Sequence, residues 1–231
     1  MLKRYLLFFA GLLFLNHAFA QETVKKKYKL LASVKEIYSV LKSDGITRQG
    51  PYQALYNGKT VVATGEFNND RQVGLWQFYN EKGVVVQTYN YTLKKLYFEA
   101  REDTTSHLRY FIDQVIDTAA ITKPVKIGGI YYGYLPYLKL FKIPNDLAQI
   151  DRRFITAIVE LLVSPGGRLA DYKVTLLSNP MGATIRVVNM NLKLPNPDDL
   201  MFTPATLNGQ PIACRIMMRC YVSDDGHLDF D

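Results

Sequence analysis

Between residues 36 and 102 the apolar and aromatic residues come in short runs separated by turn formers, which is the pattern of antiparallel hairpins. Runs 60–67, 75–79 and 84–91 have strand lengths. Ser43-Asp44-Gly45, Asn57-Gly58, Asn68-Asn69-Asp70 and Glu81-Lys82-Gly83 supply the Gly, Asn or Asp that tight turns need. Further on, Ile155, Ala157, Val159, Leu161 and Val163 form one wholly apolar strand face. After Ser164-Pro165-Gly166-Gly167 the chain returns over 169–177 with Ala170, Tyr172, Val174 and Leu176 as the matching face. Asn179-Pro180 then reads as a helix start, followed by Met181, Ile185, Val188 and Leu192 on one helical stripe, with Pro195 and Pro197 as the stop. Beyond Asn208-Gly209 a last strand alternates Ile212, Cys214, Ile216, Met218, Cys220 and Val222 with Arg215, Arg219 and Tyr221 between. A strand, a helix and a strand in one sheet favour a right-handed crossover, placing the 154–163 strand centrally and the last strand at an edge. A shorter helix is expected over 134–141, with Pro136 near its start.

These elements predict an α+β protein: an N-terminal antiparallel β-meander over 21–102, a linker over 103–122, and a small two-layer α/β domain over 123–223 with an antiparallel sheet and two helices. Residues 107–112 read as a weaker strand within the linker, and 224–231 as a frayed acidic tail.

Composition bounds the rest. The chain has 231 residues, 48% hydrophobic and 21% charged, enough to bury a core. Its net charge of +7 marks a mildly basic protein without the charge density that nucleic-acid binding requires. Residues 1–20 have the form of a secretory signal: Lys3-Arg4, an apolar run to Leu15, and Ala18-Phe19-Ala20 before a cut at Gln21. The apolar segment falls short of the roughly 20 residues a bilayer span takes, so cleavage and a periplasmic or secreted location are expected, with a retained anchor as the alternative. Cys214 and Cys220 lie six residues apart in one predicted strand, about 20 Å, too far for a disulfide, so two buried thiols are expected.

The meander contains a repeat. Gly50-Pro51-Tyr52 with Tyr56-Asn57 recurs as Gly74-Leu75-Trp76 with Tyr79-Asn80, one hairpin per unit. It resembles the MORN-type repeat of bacterial envelope proteins, which implies a scaffold or interaction surface. The aromatic stripe is either the core of the meander or a glycan-stacking surface.

The C-terminal part resembles a second family. Lys123-Pro124-Val125-Lys126-Ile127-Gly128-Gly129, Lys142-Ile143-Pro144, Ser164-Pro165-Gly166-Gly167-Arg168-Leu169, and Phe202-Thr203-Pro204-Ala205-Thr206-Leu207-Asn208-Gly209-Gln210-Pro211-Ile212 carry the likeness. Together they are similar to the C-terminal domain of TonB and its relatives, whose outer-membrane receptors add a short extended segment to a sheet edge. The resemblance implies a protein-binding function, an outer-membrane TonB-dependent transporter as partner, and an edge strand carrying Ile212, Arg215, Met217, Arg219 and Tyr221. Gly128, Gly129, Pro144, Phe202, Pro204, Ala205, Asn208, Gly209 and Pro211 are its motif positions. A self-paired edge would make a homodimer.

Catalytic patterns are missing from the sequence. Beyond residue 20 only His107 and His227 occur, and no nucleophile elbow, zinc-protease helix or phosphate loop is present. The expectation is therefore a non-enzyme without cofactor or metal, acting as an exported adaptor. The alternatives are a membrane-anchored energy transducer and an envelope glycan binder or hydrolase.

Overall fold

The structure, a computed structural model, describes residues 22–101, 106–113 and 120–230. The first seven strands, β1 (Thr23–Lys29), β2 (Val34–Leu41), β3 (Arg48–Tyr56), β4 (Thr60–Asn68), β5 (Arg71–Tyr79), β6 (Val85–Asn90) and β7 (Lys95–Glu99), form one antiparallel sheet in sequence order. The turn formers act as their chemistry dictates. Asn57 and Gly58, and Asn69 and Asp70, all take positive φ between paired strands, the geometry whose twist matches a two-residue hairpin. Asp44 closes its loop by accepting from the Ile46 and Thr47 amides.

The repeat places its aromatics on one face. Tyr52 and Trp76, which occupy equivalent positions in the two units, are buried with ring centroids 5.1 Å apart, and Phe67 and Phe78 pack on Trp76. The aromatic stripe is thus the inner face of the meander.

The second half adds β8 (Leu108–Phe111), β9 (Ile121–Thr122), one helix α1 (Leu135–Leu140), β10 (Ile155–Val163), β11 (Leu169–Ser178), β12 (Thr184–Asn189), β13 (Ala205–Leu207), β14 (Gln210–Ile212), β15 (Cys214–Val222) and β16 (Leu228–Phe230). A second sheet runs β12-β11-β10-β15-β16 with β8 also on β15, and a small third sheet runs β14-β13-β9. The inner faces of β10 and β15 are buried at every second residue, as alternation demands.

The expected two-helix α/β domain is corrected by the fold, which is mostly β. α1, led by a 3-10 turn at Tyr132–Tyr134, is the one α-helix among the described residues. The 179–192 stripe is not a helix. Four of the six β12 residues, Thr184, Ile185, Val187 and Val188, are β-branched, and such side chains lose rotamer freedom in a helix and pack well on a pleated surface. The register against β11 steps between Leu176 and Leu177 and leaves Ile185 without a partner. Ile185 and Val188, three apart, therefore both pack against the core, which imitates helical spacing.

Three further differences follow from pairing. β10 is central as expected, but β15 is flanked on its far side by β8 and β16 and is not an open edge. The 224–230 segment turns at Gly226 and returns as β16, with Leu228 and Asp229 buried, so it is not a frayed tail. An irregularity between Leu162 and Val163 pairs Val163 with Leu169, which turns Leu169 inward and leaves Ala170 exposed.

One continuous cluster of buried residues runs from Leu31 to Phe230 and includes both large sheets. The chain from Gly128 to Phe141 fills the space between them. Tyr132 stacks on Phe78 at 5.6 Å on the meander side, and Tyr137 meets Tyr172 at 5.8 Å on the other. Among the described residues no helix is long and apolar enough to cross a membrane.

Candidate partner-binding face

Two kinds of position emerge from the residues the sequence singled out. The motif positions build the frame. Gly128 and Gly129 have positive φ, and a β-carbon on Gly128 would lie 2.5 Å from the Gly133 Cα, so only glycine permits this close approach. Their amides donate to Oε1 of fully buried Gln87 at 2.7 and 3.1 Å, which fixes the helix start to the meander. Pro144 accepts from the Leu147 amide in the turn after α1. Phe202 is buried and its amide donates to Gly167, while Pro204 packs on Gly167 and Ala205 pairs with Ile212. Asn208 and Gly209 form the β13–β14 turn with positive φ, beside Pro211 paired with Thr206.

The remaining positions, Arg215, Met217, Arg219 and Tyr221, share the outward face of β15, and Ile212 lies apart at the end of β14. Register assembles cross-strand rows on that face. Phe111, Arg215 and Leu162 are neighbours, then Arg109, Met217 and Glu160, then Arg219 and Ile158, then Tyr221 and Thr156. Glu160 draws in Arg215 at 2.7 Å and Lys173 at 2.8 Å, and Arg215 also reaches Asp113 at 3.4 Å. Burial would raise the Glu160 carboxyl, but the hydrogen bonds from Lys173 and Arg215 outweigh it and hold the group ionised below its usual range.

Two hollows of about 460 Å³ each adjoin along β15, with Arg219 as their shared wall. Arg109, Phe111, Ile158 and Met217 give the first an apolar floor with basic rims. Lys29, Arg152 and Arg153 with Asp224 and Asp225 give the second a mixed charged lining. β8 enters this face from a fixed point: His107 meets Glu81 of the meander at 2.8 Å and its ring lies 4.9 Å from Phe230.

Sequence reasoning missed Arg109, Phe111, Ile158 and Glu160. The last two were within reach, because the face of β10 opposite its apolar one reads Thr156, Ile158, Glu160, Leu162, too apolar for a simply solvated surface. Arg109 and Phe111 fell in the segment read as linker. A second polar cluster lies deeper. Lys126, 5% exposed, donates to the Asp198 and Met201 carbonyls, pairs with Asp199 at 3.6 Å and sits 5.1 Å from the Phe202 ring centroid. Burial pulls its pKa down to about 8 despite Asp199. It ties the 197–202 segment to the helix start. Among the described residues no group of three or more His, Cys, Asp or Glu side chains is placed to hold a metal ion. Residues 1–20, read as a signal, lie outside the described residues.

Comparison of the chain with protein-family models, with curated proteins and with solved structures finds no match to any of the three.

Proposed function

We propose that this protein is a non-catalytic, exported envelope adaptor that takes up an extended segment of a partner at the β8–β15 side of its six-stranded sheet. The partner class is an outer-membrane TonB-dependent transporter. The observation that carries the reading is the outward row of Arg109, Phe111, Met217 and Arg219 around an open hollow beside β8, the last strand on that side among the described residues. A segment added there gains main-chain hydrogen bonds and drops alternate side chains into such a hollow. The fold changes the expected geometry: the outer backbone of β15 is already paired with β8 and β16, so the added strand lies against β8 and reads β15 through its side chains.

Capture of purified transporter by the full chain tests this. Met217→Asp and Arg219→Glu should each weaken capture about tenfold or more while leaving the folded signal intact, and unchanged capture by both would remove this face from the argument. The intact mass recovered from separated envelope fractions tests export. A mass lacking residues 1–20 in the soluble periplasmic fraction supports the adaptor, and full-length protein in the inner membrane supports an anchored transducer instead.

A further inference from the structure

The first edge of the seven-stranded sheet is a run of lysines. β1 is exposed along its whole length and carries Lys25, Lys26, Lys27 and Lys29 with no acidic residue among them. It is the last strand on its side of the sheet among the described residues. Its register on β2 sets Lys25 opposite Ser39, Lys27 opposite Ile37, Lys29 opposite Lys35, and Tyr28 opposite Glu36, which is buried. Lys25 and Lys27 therefore leave the strand on the side away from the core, and Lys26 and Tyr28 on the other. On that other side the Lys139 ammonium of α1 lies 4.5 Å from the Tyr28 ring centroid. Few carboxylates answer these charges. Lys29 pairs with Asp225 and Lys42 with Glu22, at the two ends of β1. Lys26 donates to the Gly45 carbonyl, which leaves its charge uncancelled, and Lys25, Lys27 and Lys35 form no ion pair among the described residues.

What such an edge attracts follows from its composition. Lysines on an edge strand oppose the addition of another strand, so an extended peptide is a poor match for the open backbone of β1. Its four cations are all lysine. An arginine presents a planar fork that grips one carboxylate with two bonds, whereas an ammonium is a compact point charge suited to diffuse anionic groups. Four-carbon stems let ammonium groups from both sides of the strand reach one plane beyond it. Val24 and Tyr28, 47% and 46% exposed, stand among them. Apolar and tyrosine side chains between lysines match the surface of a bilayer, where tyrosine rings sit at headgroup level and each lysine near an anionic leaflet adds its own attraction.

We propose that the β1 edge is a docking surface for an anionic phospholipid bilayer, held by Lys25, Lys26, Lys27 and Lys35 with Val24 and Tyr28 between them. It does not rest on the β8–β15 reading, since none of these residues lines either hollow there. Flotation of the full chain with vesicles of phosphatidylcholine alone, and with vesicles that also contain phosphatidylglycerol, tests it, with circular dichroism as the control for folding. The readout is the ratio of the two affinities, in which uptake common to both lipids cancels. The wild type should prefer the anionic vesicles about tenfold or more at low salt, and the preference should fall steeply as ionic strength rises. Lys25→Glu with Lys27→Glu should bring the ratio close to one. Lys94→Glu with Lys193→Glu, an equal change of net charge at exposed lysines of other elements, should leave it within about twofold of the wild type. Lys25→Gln with Lys27→Gln removes the charges without reversing them and covers the case in which the glutamates unfold the edge. Equal affinity of the wild type for both vesicles, a preference lost equally in the two charge-reversed pairs, or capture of polyglutamate but not of anionic vesicles would each overturn the proposal.

Discussion

The indole ring of Trp76 lies directly over the backbone of Gly65, so close that a β-carbon on Gly65 would stand 2.2 Å from the ring. Gly65 is in β4 and Trp76 in β5, and the indole Nε1 donates to the Glu66 and Val73 carbonyls on either side of this contact. The ring is thereby fixed in the plane that Tyr52, Phe67 and Phe78 surround. Gly65→Ala forces the ring outward against packed aromatic neighbours, an overpacking change that costs about 1–3 kcal/mol. Chemical denaturation should show a lower midpoint, and a variant as stable as the wild type would mean the ring has room to move.

Gln87 is the corresponding polar joint between the two halves. Its amide donates to Glu99 and to the Lys126 carbonyl, and its carbonyl accepts from the Gly128 and Gly129 amides, with no part of the side chain reaching water. Gln87→Leu fits the volume but orphans two amides and a carbonyl in the interior, at a cost of about 3 kcal/mol or more. Amide hydrogen exchange reports it locally: protection at Gly128 and Gly129 should fall further than at Val159 in β10. Equal loss at all three would show that the bonds contribute only to global stability.

Much of the meander was legible because hairpin turns are local. Asn57-Gly58 and Asn69-Asp70 need only their own φ preferences to form, and the alternating face of β10 needs only its own residues. What was illegible depends on partners distant in sequence. Nothing near Arg215 announces that Leu108–Phe111 pairs beside it, and nothing near Phe230 announces that it is sought by His107. The 179–192 stripe misled because a register step and a helical repeat both bring residues three apart to one side. On the candidate face the sequence placed Arg215, Met217, Arg219 and Tyr221 together correctly, since period two is intrinsic to a strand. It could not supply Phe111 or Arg109, which arrive by chain topology.

The two thiols give a test of the β15 face. Cys214 and Cys220 form no disulfide, and both are buried on the inner side of β15. Burial raises the Cys214 thiol above its usual range, so little thiolate is present at neutral pH even where reagent could reach it. Alkylation of the native protein at pH 7.5, a mild condition of roughly ordinary thiol chemistry, should leave both unmodified, and unfolding should expose both together. The mass of the oxidised and reduced protein should coincide. Modification of Cys220 alone in the native state would mean that β16 leaves β15 without global unfolding.

Lys126 makes stability depend on pH in an unusual sense. Burial, only partly offset by Asp199, lowers its pKa from 10.5 to about 8, so between those values the unfolded chain holds a proton that the folded chain has released. Stability therefore rises with pH across that window, by about 2 kcal/mol between pH 8 and pH 10 from this group. As pH approaches 10 the sign reverses. Burial holds Tyr131, Tyr132 and Tyr137 well above the usual tyrosine pKa of 10.0, so the unfolded chain loses those protons first and stability falls. Denaturation midpoints from pH 7 to 11 should pass through a maximum between about pH 9 and pH 10. Lys126→Met should remove the rising limb while keeping the fall. It also lowers the whole curve, because the buried Asp199 carboxylate loses its cation, so the slopes and not the absolute midpoints carry the comparison. A wild type whose stability declines steadily from pH 8, in parallel with Lys126→Met, would show that Asp199 and the aromatic rings compensate the buried ammonium in full.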